Sequence, residues 1–205
     1  MSSHPSRLRT ALRVCAPAVA ALSLTMAFAG PASASPALVA VSNGRLTFTA
    51  LPGETNTVTF DTFSGGTLKV TDTTSNLVAG PGCTGSGHTV LCNGIGVTRI
   101  VANLGDQNDT AQNDTSLPSD LVGGQGNDIL VGGSGPDRLT DPDGWTGPTL
   151  TTVTMAGRGG NDSIISRNGG YDQIDCGAGF DVLIADPAPR DTLTTPNTCE
   201  IVQRF

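Results

Sequence analysis

The chain has 205 residues, enough for one domain, and a formal net charge of −7 from 18 acidic and 11 basic residues. A chain this acidic is not expected to hold nucleic acid or an anionic membrane, and divalent cations are its natural partners. Lys69 is the only lysine, so arginine supplies most of the balancing positive charge.

Residues 1–34 have the layout of a secretory signal peptide. Three arginines precede an apolar run over residues 16–30, and residues 32–34 read Ala-Ser-Ala, a small-x-small cleavage signal. The run is too short and too rich in alanine for a membrane span, although a retained N-terminal anchor is the alternative. We expect a secreted, extracellular protein of residues 35–205 with no membrane span after cleavage. Its charge would be −10, because residues 1–34 carry three arginines and no acid.

Residues 35–103 are predicted to form short strands. Apolar residues alternate with polar or small ones in LVAV from Leu38, LTFT from Leu46, TVTF from Thr57 and TLKVT from Thr67. Asn43-Gly44 between the first two is a signal for a hairpin or a coil corner. We interpret this region as a β-strand cap on the N-terminal end of a stacked fold, with a small β-sandwich as the alternative.

A nine-residue repeat runs from Leu104 to Gln203. Its clearest units are Gly123–Val131, GGQGNDILV, and Gly132–Thr140, GGSGPDRLT. The sixth position is always acidic and the eighth always apolar, which a flexible linker would not preserve. The position-six acids are Asp109, Asp128, Asp137, Asp162, Asp172, Asp181, Asp191 and Glu200, and the position-eight residues are Ala111, Leu130, Leu139, Ile164, Ile174, Leu183, Leu193 and Val202.

These units resemble the glycine-rich nonapeptide GGxGxDxUx of the RTX, or hemolysin-type, calcium-binding proteins. The likeness is good in two units, fair in three and faint in three. Arg158 and Asn168 depart from it at second-position glycines, and Cys176 departs at a first. The resemblance implies an all-β fold in which residues 104–205 form a parallel β-roll, or β-solenoid, of calcium-binding repeats.

Elementary chemistry also predicts calcium at this spacing. Glycine adopts positive φ freely, so its carbonyl can be turned inward, and calcium takes roughly six to eight oxygen ligands. One turn offers about half of that shell, so two stacked turns must share an ion. Two units make one coil of about 18 residues, which stacks Asp162 on Asp181 and Asp172 on Asp191. The candidate ligands of Ca²⁺ are Gly124, Gly126, Asp128, Gly133, Gly135, Asp137, Gly160, Asp162, Gly170, Asp172, Gly179, Asp181 and Asp109.

The last three residues of each unit are predicted to form a short strand. The middle residue of the strand then faces the core, and these core residues are Leu130, Leu139, Ile164, Ile174 and Leu183. The interval from Asp137 to Asp162 exceeds two units by most of a further unit, which predicts an inserted loop near residues 141–148. Its Trp145 is expected to pack over the coil, and Leu150–Thr154 to re-enter as a strand.

Four cysteines remain after the predicted cleavage. An even number in an exported chain indicates two disulfides. Of the three possible pairings, Cys83–Cys92 with Cys176–Cys199 is the simplest because both bridges are local. A zinc site is the alternative, but the chain has no Cys-x-x-Cys, and His88 is the only histidine after residue 34.

The sequence favours binding over catalysis. It has no Gly-x-Ser-x-Gly nucleophile elbow and no Gly-Lys-Ser/Thr phosphate loop, and His88 lies in a glycine-rich loop without an obvious partner. We expect a secreted calcium-ion-binding protein with a structural or interaction role and no enzymatic activity. The alternatives are a calcium-dependent extracellular enzyme acting on polysaccharide and a cell-surface adhesin or matrix protein, whose partners would be extracellular polysaccharide or the cell surface.

Overall fold

A computed structural model describes residues 36–143, 154–194 and 198–205. Over these residues the chain is all-β, with eighteen strands and a single 3-10 turn at Ser64–Gly66. No helix among them is long and apolar enough to cross a membrane. The predicted signal peptide, Trp145 and most of the predicted strand at Leu150–Thr154 lie outside the described residues.

Two stacks of parallel strands make up most of the molecule. Stack one consists of β2 (Arg45–Thr49), β8 (Arg99–Asn103), β10 (Ser119–Val122), β12 (Arg138–Thr140), β14 (Ser163–Ile165), β16 (Val182–Ala185) and β18 (Ile201–Arg204). Stack two consists of β3 (Thr57–Phe63), β9 (Thr110–Asn113), β11 (Ile129–Val131), β13 (Met155–Ala156), β15 (Gln173–Asp175) and β17 (Thr192–Leu193). The chain alternates between the stacks, so the fold is a parallel β-solenoid, as the repeat predicts.

The strand register confirms that two nonapeptides complete one coil. Ser163 pairs with Val182, and Val182 pairs with Ile201, so each step spans two repeat units and one further residue. The coil from Arg138 to Ser163 is longer, and β12 and β14 still pair in register. Turns from stack one to stack two form edge A of the solenoid, and turns from stack two back to stack one form edge B.

The interior between the stacks is apolar along its centre. The five predicted core residues, Leu130, Leu139, Ile164, Ile174 and Leu183, are fully buried. Burying one such side chain stabilises the fold by about 1.5–3 kcal/mol. The first coil is filled by larger groups, and the rings of Phe48 and Phe60 meet edge to face with centroids 6.2 Å apart.

A mostly antiparallel cap, in which only β1 and β5 pair in parallel, covers the N-terminal end of both stacks. It comprises β1 (Ala37–Ser42), β4 (Thr67–Asp72), β5 (Leu77–Ala79), β6 (Cys83–Gly87) and β7 (Thr89–Asn93). β1 pairs with β2 through the predicted Asn43-Gly44 hairpin, whose two residues have φ of 50° and 71°. From β1 the sheet continues through β5, β6, β7 and β4 to β3, so neither stack exposes its first edge.

Both predicted disulfides are confirmed. Cys83–Cys92 joins β6 to β7 within the cap, with the two Cα atoms 4.0 Å apart. Cys176–Cys199 ties the last turns of edge B together, with the two Cα atoms 5.2 Å apart.

Candidate metal centre

The position-six aspartates point into the solenoid. Seven of them are at most 3% exposed, whereas Glu200 is exposed. Each acid immediately precedes a strand and lies two residues before that strand's apolar core residue, so the two side chains face the same side. The acidic columns therefore run along the two edges of the core.

These acids hold the coil that precedes them. On edge B the backbone N–H of Asp162 donates to Asp181 Oδ1 over 2.8 Å, and that of Asp137 donates to Asp162 Oδ1 over 2.8 Å. On edge A the N–H of Asp109 donates to Asp128 Oδ1 over 2.8 Å. The nonapeptide motif by itself does not predict this role. The signal for it was available, because residues one coil apart stack and residues two positions apart share a face.

Two pairs of stacked turns have the same geometry. We name them pair I, residues 104–109 with 123–128 on edge A, and pair II, residues 157–162 with 176–181 on edge B. In pair I, Gln125 N–H donates to Gly105 O (2.9 Å) and Asn127 N–H donates to Asn108 Oδ1 (2.9 Å). In pair II, the equivalent donors are Ala178 N–H to Arg158 O (2.8 Å) and Phe180 N–H to Asn161 Oδ1 (3.0 Å). The two pairs lie on opposite edges and in different coils.

Positive φ turns backbone carbonyls into the space between the turns of each pair. Gly126 and Gly179 have φ of 133° and 146°, and a Cβ at either would overlap the carbonyl oxygen of Gln107 or Gly160 in the turn before. Gln107 itself has φ of 83°, a conformation that costs a residue with a side chain about 1–3 kcal/mol. These carbonyl oxygens therefore lie between the stacked turns.

Three carboxylate oxygens of these turns are buried without a hydrogen bond from the described residues. Asp109 Oδ2, Asp162 Oδ2 and Asp181 Oδ2 are buried and have no hydrogen-bond partner among the described residues. A Cβ on Gly157 would overlap Asp162 Oδ2, so glycine at the first position leaves room for this oxygen. An unpaired buried carboxylate oxygen is costly, and a hard cation is the group that would satisfy it.

Burial raises the pKa of these carboxyl groups. It raises the pKa of Asp109 to about 7, although the hydrogen bond that this carboxylate accepts from Asn56 N–H lowers the pKa. The negative charge of Asp128 raises it further. It raises the pKa of Asp162 to about 7 as well, and that of Asp128 to about 6. The pKa of Asp181 is raised by burial and then by the charge of Glu200. The metal-free columns therefore resist ionisation.

The other predicted acidic ligands, Asp137 and Asp172, already accept hydrogen bonds from their own turns and from the preceding coil. Asp137 Oδ1 accepts bonds from Ser119 N–H and Oγ–H, each over 2.7 Å, and Asp137 Oδ2 accepts one from Gly133 N–H over 2.6 Å. Asp172 accepts bonds from Thr154 Oγ–H over 3.0 Å and Asn168 Nδ2–H over 3.1 Å. The predicted ligands Gly133, Gly135 and Gly170 lie in the same two turns as Asp137 and Asp172.

The structure thus gathers eight of the predicted ligands into two places. Pair I contains Asp109, Gly124, Gly126 and Asp128, and pair II contains Gly160, Asp162, Gly179 and Asp181. Within the described ranges no group of three or more His, Cys, Asp or Glu side chains is arranged to hold a metal ion. An ion in either pair would take its oxygens from a pair of carboxylates and from backbone carbonyls, a set that suits calcium better than zinc.

Fold and site together define a capped parallel β-solenoid with buried acidic columns on both edges. Comparisons of this chain with protein-family models, with curated proteins and with solved structures found no match.

Proposed function

We propose that the protein is a secreted calcium-binding protein in which pair I and pair II each close around a Ca²⁺ ion. The observation that supports this most directly is the equivalence of the two pairs, each with a buried carboxylate oxygen that has no hydrogen-bond partner among the described residues. Its role would be structural or in interaction, with calcium completing the fold.

The charge of the columns supports a divalent ion. The ion pairs among the described residues are Lys69–Asp61, Arg99–Asp120 and Arg158–Asp114, and none of them includes Asp109, Asp162 or Asp181. Two carboxylates about 5 Å apart repel by roughly 1–3 kcal/mol at effective dielectric constants between 80 and 20. A cation between the turns would turn that repulsion into attraction.

The chain's own groups have distinct tasks in this proposal. Asp109 and Asp162 would each give one oxygen to the ion while the other oxygen keeps its backbone N–H bond. The carbonyls of Gln107 and Gly160 would complete the shell from the turn backbone, and Asn108 and Asn161 would hold the stacked turns in register. Bound calcium would supply the charge that balances the acids.

Secretion gives the proposal its physical setting. The predicted signal peptide and the two disulfides both support an oxidising, extracellular environment. A site with an affinity of about 10⁻⁴ M in millimolar calcium stabilises the fold by roughly 1.4 kcal/mol. Two such sites would be a substantial part of the stability of a small domain.

Calorimetric calcium titration of the purified, oxidised chain tests the proposal, with thermal melts in calcium, magnesium and chelator. We expect two ions per chain and a higher Tm in calcium than in equimolar magnesium. Asp162→Asn keeps the acceptor for Asp137 N–H but removes the charge, so it should remove one ion. Asp120→Asn, which changes an outward acid of the same stack, is the matched control. Identical melts in calcium and chelator would refute the proposal.

A further inference from the structure

The C-terminal side of pair II is covered by three residues that are not a glycine-rich turn. Glu200 Oε2 accepts the backbone N–H of Asp181 over 2.7 Å, as position-six aspartates do in other coils. Thr198 Oγ1 accepts Gly177 N–H over 3.0 Å and donates to Asp175 Oδ1 over 2.8 Å. Residues 198–200, which we name the closing segment, thus bond to turn 176–181 at both of its ends.

The second disulfide fixes this segment to the turn that it covers. Cys176 is the first residue of the turn, and Cys199 lies within the closing segment beside Glu200. Both cysteines are buried, with exposures of 0% and 7%. The bridge therefore holds the carboxylate of Glu200 at the end of the acidic column, where no glycine turn is present to stack.

We propose that the Cys176–Cys199 bridge and Glu200 form a closure that sets the calcium affinity of pair II. The inference rests on the proposed function for the identity of the ion. Glu200 acts as a positioning residue: it holds Asp181 through the backbone N–H and adds a negative charge beside the ion. The bridge keeps Glu200 at a high local concentration, in the way that a short tether favours an intramolecular contact.

Pair I provides an internal comparison in the same molecule. Residues 104–128 contain no cysteine, and the other disulfide lies in the cap between β6 and β7. A change that acts through the closure should alter calcium binding at pair II and leave pair I as it was. A change that merely loosens the whole fold should alter both.

Hydrogen exchange read by mass spectrometry during a calcium titration separates the two pairs. Peptides covering residues 104–128 report pair I, and those covering residues 157–181 report pair II. We expect Cys176→Ser/Cys199→Ser to raise the calcium midpoint of pair II about tenfold, because a tethered group loses its effective concentration when the tether is cut. The pair I midpoint should not change. Cys83→Ser/Cys92→Ser is the matched control and should move neither midpoint.

Glu200→Gln tests the charge with both disulfides intact, and so serves if the cysteine variant does not fold. It keeps an acceptor for Asp181 N–H and removes a negative charge next to pair II, so we expect a pair II midpoint about tenfold higher. Its Tm in chelator should not fall, because the repulsion between Glu200 and Asp181 is relieved. A lower Tm in chelator would indicate a purely structural role. Glu54→Gln, the same exchange in the first coil, is the control.

The outcomes distinguish the inference from the proposed function. If calcium protects both pairs and Glu200→Gln leaves the pair II midpoint unchanged, the closure is refuted and calcium binding stands. If both midpoints move together in every variant, the effect is global and the closure is again refuted. If calcium protects neither pair in the unmodified chain, the proposed function falls and the closure falls with it.

Discussion

The first coil and the later coils share one architecture but are stabilised by different interactions. In the first coil, Leu46, Phe48, Val58 and Phe60 fill the space between the stacks, and the cap pairs antiparallel with the first strand of each stack. From pair I onward most strands bury a single large apolar side chain, such as Ile164, beside a buried carboxylate. The amount of apolar surface per coil therefore falls as the acids replace it.

Apolar burial is therefore enough to stabilise the first coil, whereas the later coils also require the charge of their buried carboxylates to be balanced. Large aromatic and aliphatic groups stabilise a fold whatever the ionic conditions, whereas a buried carboxylate does so only when it is neutralised or paired. We therefore expect the cap and first coil to be stable without calcium. The coils that contain pair I and pair II should depend on it.

The largest effect is expected from the aromatic core of the first coil. Phe60→Ala removes a fully buried ring that meets Phe48, and we expect a loss of about 3–5 kcal/mol in the free energy of unfolding. Urea denaturation should give the same loss in calcium and in chelator. A loss that shrinks markedly in chelator would show that the first coil is coupled to the ions after all.

Calcium removal should have the next largest effect, and only in the coils that contain pair I and pair II. With the pair II site contributing roughly 1.4 kcal/mol, chelation should speed hydrogen exchange in β14 and β16 about tenfold. Exchange in β3 and β4 should change little. Uniform acceleration across all four strands would remove the distinction between the two regions.

Acidity should weaken calcium binding by competition with protons. The pKa of Asp109 and Asp162 is raised to about 7, so the metal-free folded state binds protons more tightly than the unfolded state. Without calcium, stability should be greatest below the ordinary Asp pKa, near 4, and decline as pH rises through about 7. Calcium displaces these protons, so its affinity should rise about tenfold per displaced proton from pH 6 to pH 8. Calorimetric titrations across that range measure this, and an affinity that falls with rising pH would contradict it.

The smallest effect is expected at a surface ion pair of the cap. Lys69 Nζ lies 3.1 Å from Asp61 Oδ2 and both side chains are about one-third exposed, so the pair contributes roughly 0–1 kcal/mol. Lys69→Met should shift the urea midpoint only slightly, with or without calcium. A loss as large as that of Phe60→Ala would mean that charge, and not apolar packing, also holds the cap.

Much of the fold was predictable because the repeat fixes it. A nine-residue period with position eight apolar sets the coil length, the alternation between two stacks and the core residues such as Leu139 and Leu183. The local spacing of the cysteines indicated both disulfides. The antiparallel pairing of β4 to β7 was not predictable, since short alternating strands are compatible with many partners.

The sequence predicted which residues form the candidate site, but not which of them would lie in pair I and pair II and which would be hydrogen-bonded elsewhere. All position-six acids look equivalent in the sequence, yet Asp137 and Asp172 meet donors from Ser119 and Thr154, which belong to the preceding coil. Such donors lie a whole coil away along the chain and follow no motif. The use of one carboxylate oxygen to hold the preceding coil also depends on strand register, which a motif does not report.

The way the cap joins both stacks has a consequence for the size of the molecule. After the first coil, each further coil adds one strand to each stack. Removing residues 110–128 would therefore take out one strand from each stack and leave the register of the others unchanged. Each step alters the height of the stack by about 4.8 Å. The number of coils therefore sets the length of the solenoid. Gain or loss of one coil would change that length and leave the cap and the last coil unaltered.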